Sequence, residues 1–358
     1  MDTHTVCALD ADDGKNIWEY TAGGRVSSPP AIYKGLAIFG SADGRVYCLR
    51  ASDGALVWRF DAAPQTRLIT AFDQLESPWP VPGVMVHGGK CWFAAGRSSY
   101  LDGGIHVYAL DPATGKVERQ DTIYSPDPKT GKMSPETNGH SMAGLLGDIP
   151  GTDGADVFIR QMNVSSSDGR AGQHLFTTGG YLDPSWFNRT FWKVGRAQTS
   201  GLMVLGDDAA FGVEIYPSRS RETVFKPGVN GYRLRRLPLK TPAGDKRDRR
   251  GKQPKGKRPP GPKPNWEQRV GIRITAMVRA GETLFAAGSP DIVDPKDPHG
   301  AWEGRKGGVL AAFAAGDGKK LAEHKLPAPP VWDGMAAARG RLYLSLRDGT
   351  VVCLHEAK

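Results

Sequence analysis

Short apolar runs alternate with polar, glycine-containing turns along the chain, and the arrangement repeats. The segment VCALDADDGKNIWEY, which begins at residue 6, returns at residue 46 as VYCLRASDGALVWRF. The aligned pairs, each 40 residues apart, are Leu9 and Leu49, Gly14 and Gly54, and Trp18 and Trp58. Because glycine readily takes a positive φ, each copy predicts two short antiparallel strands joined by a tight Asp-Gly turn.

Later parts of the chain repeat pieces of the same pattern. Residues 107–116 (VYALDPATGK) and 310–319 (LAAFAAGDGK) repeat its first half, and residues 348–354 (DGTVVCL) repeat the strand alone. Further apolar hairpins precede these copies. A unit of about 40 residues with four short strands is typical of a β-propeller blade. A β-sandwich also has short strands, but the fixed repeat favours an all-β propeller of seven or eight four-stranded blades.

The two ends of the chain bear on how such a propeller would close. Residues 3–20 supply only a third and a fourth strand, and residues 325–354 supply only the first three. The two ends would then share one composite blade, which removes the exposed sheet edges. Alternatively, the propeller is truncated at its N-terminus. Both hypotheses treat residues 1–358 as a single propeller domain.

Composition agrees with a turn-rich β protein. The chain has 46 Gly and 27 Pro, together about 20% of its 358 residues, against an ordinary share of roughly 12%. No apolar run approaches the roughly 18–20 residues of a membrane-spanning helix. The first residues lack the basic and apolar regions of a signal peptide, so none is predicted in this chain.

Most of the net charge of +9 lies in one segment. Residues 240–264 contain ten Lys or Arg, two Asp and six Pro, which leaves a charge of about +1 for all other residues. The segment is too poor in apolar residues to form a core and is predicted to be a disordered insertion. It is either a tether for a polyanion, such as nucleic acid or an acidic polysaccharide, or a solvated loop. The lack of interleaved aromatic residues favours the solvated loop.

The cysteines and histidines show no metal or haem motif. Cys7, Cys48, Cys91 and Cys353 are neither adjacent nor in a CxxC arrangement, and the eight histidines form no HxH or HExxH motif. Each cysteine lies in an apolar run, where a small buried side chain is the ordinary role.

The repeated segment resembles the tryptophan-docking motif of propellers named after pyrroloquinoline quinone (PQQ). The pattern A-L-D-x-x-x-G-K-x-x-W is complete at residues 8–18 and nearly complete at residues 48–58. This PQQ-like family includes quinoprotein alcohol dehydrogenases and an outer-membrane assembly lipoprotein. The resemblance implies that Trp18 and Trp58 pack between neighbouring blades, whereas Arg119 and Ala322 take that position in later copies. It also implies a periplasmic or extracellular location.

The repeat is strong over residues 1–121 and 276–358 and faint between residues 122 and 270. In a four-stranded blade, the connection from strand 2 to strand 3 lies at the end opposite the Asp-Gly turns, and its length therefore shows which face is elaborated. This connection is minimal at residues 40–44, longer at residues 96–104 and longest at residues 288–308.

The long loops, together with the inter-blade residues 65–82, predict a face that binds a protein partner or a small ligand. Its candidate residues are Glu76, Trp79, Arg97, Tyr100, Asp102, Trp302, Glu303 and Arg305. Arg97 and Asp102 have the alternative of simply pairing with each other. Asp291 and Asp294 are candidate Ca²⁺ ligands, although the neighbouring prolines favour a stiff turn.

The resemblance leaves two classes of function. A quinoprotein dehydrogenase would require an adjacent pair of cysteines at its cofactor and an aspartate base beside Ca²⁺. PQQ and Ca²⁺ are the cofactors that this reading implies, but no vicinal cysteine pair supports them. The sequence therefore predicts a non-catalytic scaffold that binds through its long-loop face. The alternatives are a degenerate quinoprotein-type oxidoreductase and a polyanion binder that uses residues 240–264.

Overall fold

The computed structural model describes residues 4–71, 73–127, 129–132, 144–166, 174–177, 192–215, 228, 231–239 and 262–355. Every regular element in these ranges is a β-strand, as the sequence predicted. No helix of the described residues is long and apolar enough to cross a membrane. The chain divides into unit 1, residues 1–176 and 180–185, and unit 2, residues 177–179 and 186–358.

Unit 1 is built from short strands. They are β1 (Thr5–Leu9), β2 (Asn16–Thr21), β3 (Ala31–Tyr33), β4 (Leu36–Gly40), β5 (Arg45–Arg50), β6 (Leu56–Asp61), β7 (Ile69–Ala71), β8 (Gln74–Glu76), β9 (Val84–His87), β10 (Lys90–Ala95), β11 (Ile105–Leu110), β12 (Val117–Ile123), β13 (Pro150–Thr152), β14 (Val157–Ile159) and β15 (Met162–Asn163), with β16 (Phe176–Thr177) at the unit boundary. β3–β6 and β9–β12 each form a four-stranded antiparallel sheet in sequence order, and β1–β2, β7–β8 and β13–β15 form smaller sheets.

Unit 2 continues with strands of the same kind. They are β17 (Trp192–Val194), β18 (Ala197–Thr199), β19 (Met203–Leu205), β20 (Ala209–Glu214), β21 (Tyr232–Pro238), β22 (Trp266–Val270), β23 (Ile272–Ala280), β24 (Thr283–Pro290), β25 (Gly308–Ala314), β26 (Lys320–Leu326), β27 (Pro330–Ala338), β28 (Arg341–Leu346) and β29 (Val351–His355). β19–β22 and β23–β26 are four-stranded sheets, and β27–β29 is three-stranded.

The sequence repeat is also a repeat of backbone geometry. Ala8 pairs with Trp18, and Cys48 pairs with Trp58, and a register shift follows Ala8 and Cys48 in both hairpins. The turn glycines Gly14, Gly54, Gly115 and Gly318 have φ between 71° and 78°. The predicted Asp-Gly turns, and the equivalent Thr-Gly turn at Gly115, therefore need glycine for its left-handed backbone.

The core lies on the middle strands of each sheet. β4, β5, β10 and β11 are mostly buried, whereas the outer strands β2, β6, β12 and β26 are largely exposed. Side chains of the sheets β3–β6 and β9–β12, among them Ile38 and Phe93, pack into one apolar cluster. Burial of each such side chain stabilises the fold by about 1.5–3 kcal/mol.

The cysteine prediction is confirmed for two positions and wrong for the other two. Cys48 and Cys91 are fully buried in the cluster between the sheets. Cys7 and Cys353 are exposed. Cys7 lies on β1 of a two-stranded hairpin, and Cys353 lies on the outer strand of β27–β29. Both belong to sheets that lack the full set of four strands, so an apolar run there does not ensure burial.

The basic segment falls within one blade. Residues 240–261 lie outside the described residues, so the prediction of disorder there is not tested. The flanking strands β21 and β22 pair directly, with Arg236 opposite Trp266. The segment thus stands where the other four-stranded sheets have the short turn between strands 3 and 4. Closure through a composite blade stays a prediction.

Candidate functional site

Trp18 contacts the turn of the following sheet rather than that of its own hairpin. Its indole N–H donates to the carbonyl oxygen of Ala51 at 2.9 Å. The ring lies so close to Gly54 that a Cβ there would be 2.7 Å from Cδ2 of the indole. Trp58 makes the same contacts, donating to the oxygen of Pro112 at 3.0 Å and packing on Gly115.

A third tryptophan has this geometry, although the fixed sequence repeat does not reveal it. Trp266 donates to the oxygen of Ala315 at 3.1 Å and packs against Gly318. Ten residues separate Trp18 from its cross-strand partner Ala8, but 30 separate Trp266 from Arg236 because the basic segment intervenes. A repeat pattern that allows an insertion in the turn would include it.

Arg119 takes the tryptophan position in the sheet β9–β12. Its Nη1 donates to the carbonyl oxygen of Ser165 at 2.6 Å, and its guanidinium lies 5.9 Å from the centre of the Trp92 ring. Arg119 therefore donates a hydrogen bond to a carbonyl oxygen of a neighbouring segment, as the tryptophans do at this position. Ala322, the other departure from the motif, lies opposite Ala312 on β26 and has no side-chain donor.

The predicted loop residues of unit 1 form a network around Asp102. Arg97 donates to Oδ2 of Asp102 at 2.6 Å, and Arg67 pairs with Oδ1. The indole N–H of Trp79 donates to the carbonyl oxygen of Asp102 at 2.9 Å. Asp102 has a left-handed backbone, with φ of 56°, which turns its carbonyl and carboxylate to these partners. Trp79 itself is buried and lies under the Arg67 guanidinium at 5.2 Å.

Glu76 makes a second ion pair at the same edge of the sheets. Nε of Arg25 donates to Oε1 of Glu76 at 2.9 Å, and Nη2 donates to Oε2 at 3.3 Å. Nη1 of Arg25 donates to Oγ of Ser27 at 3.0 Å. The Glu76 side chain is only 5% exposed, so this is a nearly buried, bidentate pair.

A cleft, here called the Arg25–Arg97 cleft, opens between these two ion pairs. It has a volume of about 120 Å³, and its lining includes Pro80, Val81 and Pro82 besides the two arginines. Tyr100, also predicted at this face, does not line it. Tyr100 is half-buried, and its ring packs closely against the backbone of Gly144, where a Cβ would not fit.

The predicted residues of unit 2 contact Arg273 and Asp297. The exposed ring of Trp302 stacks at 4.0 Å on the buried guanidinium of Arg273. Arg305 pairs with Glu303 and donates from Nε to Oδ2 of Asp297 at 3.1 Å. The loop before β25 is therefore held by a ring stack and by ion pairs.

The candidate calcium ligands make separate contacts. Oδ1 of Asp291 accepts the backbone N–H of Gly228 at 3.0 Å, and Oδ2 of Asp294 pairs with Nζ of Lys306 at 2.8 Å. Asp294 also accepts the backbone N–H of Lys296, and these contacts lower the pKa of its carboxyl, with Lys306 the main cause. Within the described ranges, no three His, Cys, Asp or Glu side chains are grouped to hold a metal ion.

The cysteines do not provide the clamp that a quinone cofactor would require. Cys48 and Cys91 are buried on different sheets, and burial raises the pKa of each thiol to about 12. Cys7 and Cys353 are free thiols on the surface. The residues therefore do not fit PQQ with Ca²⁺ as the family resemblance would hold them.

The comparisons with known proteins agree on the architecture. Residues 1–163 match the family model described as outer membrane protein assembly factor BamB. The chain is similar to the crystal structure of BamB from Moraxella catarrhalis, with 12% identity and a TM-score of 0.51 over 99% of this chain and 90% of that one. It is also similar to quinohemoprotein alcohol dehydrogenase from Comamonas testosteroni, with 13% identity and a TM-score of 0.51 over 96% of this chain and 68% of that one. No curated protein matches the sequence.

Sheets of four antiparallel strands that follow sequence order are the blades of a β-propeller, and the solved structures share this fold. Residues 1–163 match a family of the PQQ-like repeat propellers, and the chain as a whole has the β-propeller fold. The predicted all-β propeller fold is thereby confirmed, and the predicted resemblance to PQQ-like repeats is confirmed over residues 1–163. The number of blades stays a prediction.

Proposed function

We propose that the chain is a non-catalytic propeller that binds a protein partner through its loop edge, the end of each sheet where strand 2 connects to strand 3. The main support is the network around Asp102 in unit 1. It fixes two arginines and a buried tryptophan in loops, where side chains otherwise stay mobile. Side chains held in this way lose little entropy when a partner binds.

The description of the matching family supports a protein partner. It names an assembly factor for outer membrane proteins, and such a role requires contacts with other proteins. The same description favours a place in the cell envelope, periplasmic or extracellular. The unsuitable cysteine set weighs against the alternative of a degenerate quinoprotein-type oxidoreductase.

Photo-crosslinking from two matched leucines tests the proposal. Leu101, in the loop before β11, is 49% exposed, and Leu56, beside an Asp-Gly turn, is 47% exposed. A photo-reactive phenylalanine analogue at position 101 is expected to trap one defined partner in cells of the source organism, and the same analogue at position 56 is not. Equal trapping from both positions, or none from position 101, would overturn the loop-edge proposal.

The non-catalytic part has its own test. The purified protein is mixed with PQQ and Ca²⁺, and the absorbance of the quinone and the reduction of an acceptor dye by alcohols are followed. We expect neither a stoichiometric cofactor spectrum nor turnover. A cofactor bound one to one with turnover would establish the oxidoreductase instead.

Polyanion binding is a second candidate function, favoured by where the basic segment lies. Residues 240–264 carry a net charge of +8 in place of one short turn. Replacing residues 237–265 by residues 49–57, the corresponding turn of the β5–β6 hairpin, keeps the register of Trp266. This candidate predicts salt-sensitive binding to heparin that disappears in the replacement variant. Unchanged heparin binding in the replacement variant would exclude residues 240–264 as the polyanion site.

A further inference from the structure

The Arg25–Arg97 cleft lies at the loop edge of the sheets β3–β6 and β9–β12. Its walls are tied together by backbone hydrogen bonds. Gly96 donates to Pro80 at 3.1 Å, Gly147 donates to Arg97 at 3.0 Å, and Ala42 donates to Arg25 at 2.8 Å. The cleft is therefore a fixed feature of unit 1.

The walls of the cleft combine apolar surface with positive charge and include no acidic side chain. Pro80, Val81 and Pro82 give an apolar surface, and the charged side chains that line the cleft are Arg25 and Arg97. Their acidic partners Glu76 and Asp102 are not part of the lining. A ligand in the cleft thus meets guanidinium groups in an apolar setting, where an ionic hydrogen bond is stronger than in water.

Glu76 and Asp102 hold the two arginines from outside the cleft. The side chains of Glu76 and Asp102 are only 5% and 13% exposed, whereas that of Arg97 is 40% exposed. Nη1 of Arg97 makes no hydrogen bond within the described part of the chain. Because the Arg97 guanidinium is already oriented by Asp102, a planar anion gains two-point contacts with it at little entropic cost.

The charge count indicates an anion of single charge. Arg67 and Arg97 bring two positive charges to the single negative charge of Asp102, which leaves one positive charge. A carboxylate neutralises it, whereas a phosphate dianion exceeds it. The volume of about 120 Å³ is close to the roughly 150 Å³ of a cavity that holds benzene, which suits a carboxylate with a short carbon stem.

We infer that the Arg25–Arg97 cleft binds a carboxylate of an extended peptide, supplied either by an acidic side chain or by the free C-terminus of the peptide. The inference rests on the proposed function, because it assigns the contact by which a protein partner is held. Arg97 holds the carboxylate, and the proline-rich wall contacts its carbon stem.

Four short peptides, titrated against the whole protein at low salt and followed by ligand-observed NMR, test the inference. One pair is acetylated and amidated and carries either Glu or Gln at its centre. The other pair ends in leucine, as the free acid or as the amide. At least one of the two acids is expected to bind at least tenfold more tightly than its uncharged counterpart. The pair that shows the difference identifies the source of the carboxylate.

Variants connect the binding to the cleft. R97Q is expected to weaken binding of the preferred acid at least tenfold. R97K keeps the positive charge but loses the paired donors of the guanidinium, and is expected to weaken binding by less. R59Q removes an exposed arginine on β6, outside the cleft, and is expected to leave binding unchanged. Melting curves check that all variants fold. Inorganic phosphate is added as a competitor, and displacement of the acid by equimolar phosphate but not by acetate would overturn the carboxylate assignment.

Equal binding of acids and amides, or equal loss in R97Q and R59Q, would also overturn the inference. The two proposals fail separately. If crosslinking from position 101 persists while no acid binds, the cleft assignment is wrong and the loop-edge proposal stands. If an acid binds but position 101 traps no partner, the loop-edge proposal is wrong and the cleft assignment stands.

Discussion

The indole N–H of Trp266 reaches the carbonyl oxygen of Ala315 at 3.1 Å, as that of Trp18 reaches Ala51 at 2.9 Å. The two tryptophans follow turns of very different length in their own hairpins. Both nevertheless meet the three-residue stretch that leads to a turn glycine in the next sheet. The contact therefore depends on the register of the last strand, and the length of the preceding turn does not affect it.

The first prediction concerns this contact. Trp266→Phe removes the indole donor and part of the ring that covers Gly318, and is expected to lower the free energy of unfolding by about 1–2 kcal/mol. Trp332→Phe, at a ring that is 48% exposed, is expected to change it by less than about 0.5 kcal/mol. Urea unfolding followed by circular dichroism compares the two. Equal midpoints would show that Trp266 is not a structural contact.

The same tryptophan shows how far the sequence could lead. Trp18 and Trp58 are ten residues from their cross-strand partners, so a fixed period found them and the blade pattern around them. Trp266 follows an insertion that removes the period while leaving the strand register intact. Periodicity therefore predicted the fold class but under-counted the docking tryptophans.

The site was predictable only in part for a different reason. Loop length pointed to Glu76, Trp79, Arg97 and Asp102, which the structure brings to the loop edge of unit 1. Arg25, the partner of Glu76, is 51 residues away in sequence. In the sequence, Arg25 is marked only by its place between a Gly-Gly pair and a Ser-Ser-Pro-Pro run. Its pairing with Glu76 can be seen only in the folded structure.

The second prediction concerns the glycine beneath Trp18. Gly54 has φ of 71°, and a Cβ there would lie 2.7 Å from the Trp18 ring. Gly35 has φ of 79° with open space around it, so Gly35→Ala carries only the backbone cost of about 1–2 kcal/mol. Gly54→Ala is expected to lose at least about 1 kcal/mol more because the indole must move. Thermal melting of both variants measures the difference, and equal losses would contradict the close contact.

The third prediction concerns thiol reactivity. Burial raises the pKa of Cys48 and Cys91 to about 12, so neither thiol forms the reactive thiolate near pH 8. Cys7 and Cys353 are exposed. Titration with a thiol-reactive dye at pH 8 is expected to label two thiols in the native protein and four in guanidinium chloride. The double variant C7S/C353S serves as the control and should show no rapid native labelling.

The fourth prediction concerns pH. His106 lies with Nδ1 3.1 Å from Oγ1 of Thr122, and burial lowers its pKa below the usual 6.5. As pH falls through 6.5, the unfolded protein takes up this proton before the folded protein does, so stability falls. His106→Thr should reduce the loss of stability between pH 7.5 and 5.5. Part of the loss should remain, because burial also lowers the pKa of His174. An unchanged slope in the variant would contradict this assignment.

The last prediction concerns the ion pair behind the cleft. Glu76→Gln removes the negative charge that Glu76 places beside the Arg25 guanidinium, whose side chain is 20% exposed. Breaking a buried pair costs about 3–5 kcal/mol, and because the amide oxygen of Gln still accepts one hydrogen bond, a loss of about 2–4 kcal/mol is expected. Asp61→Asn breaks the pair with Arg45, where Asp61 is 67% exposed, and should cost less than about 1 kcal/mol.

The double variant R25Q/E76Q separates the charge effect from packing. If the cost of Glu76→Gln comes from the loss of the charge pair, the double variant should be more stable than E76Q, because it also removes the arginine charge with little change in volume. Urea unfolding of E76Q, R25Q and R25Q/E76Q beside the wild type gives the coupling energy between the two residues. If the two single losses simply add, the pair carries no coupling, and Glu76 is not what orients the Arg25 guanidinium.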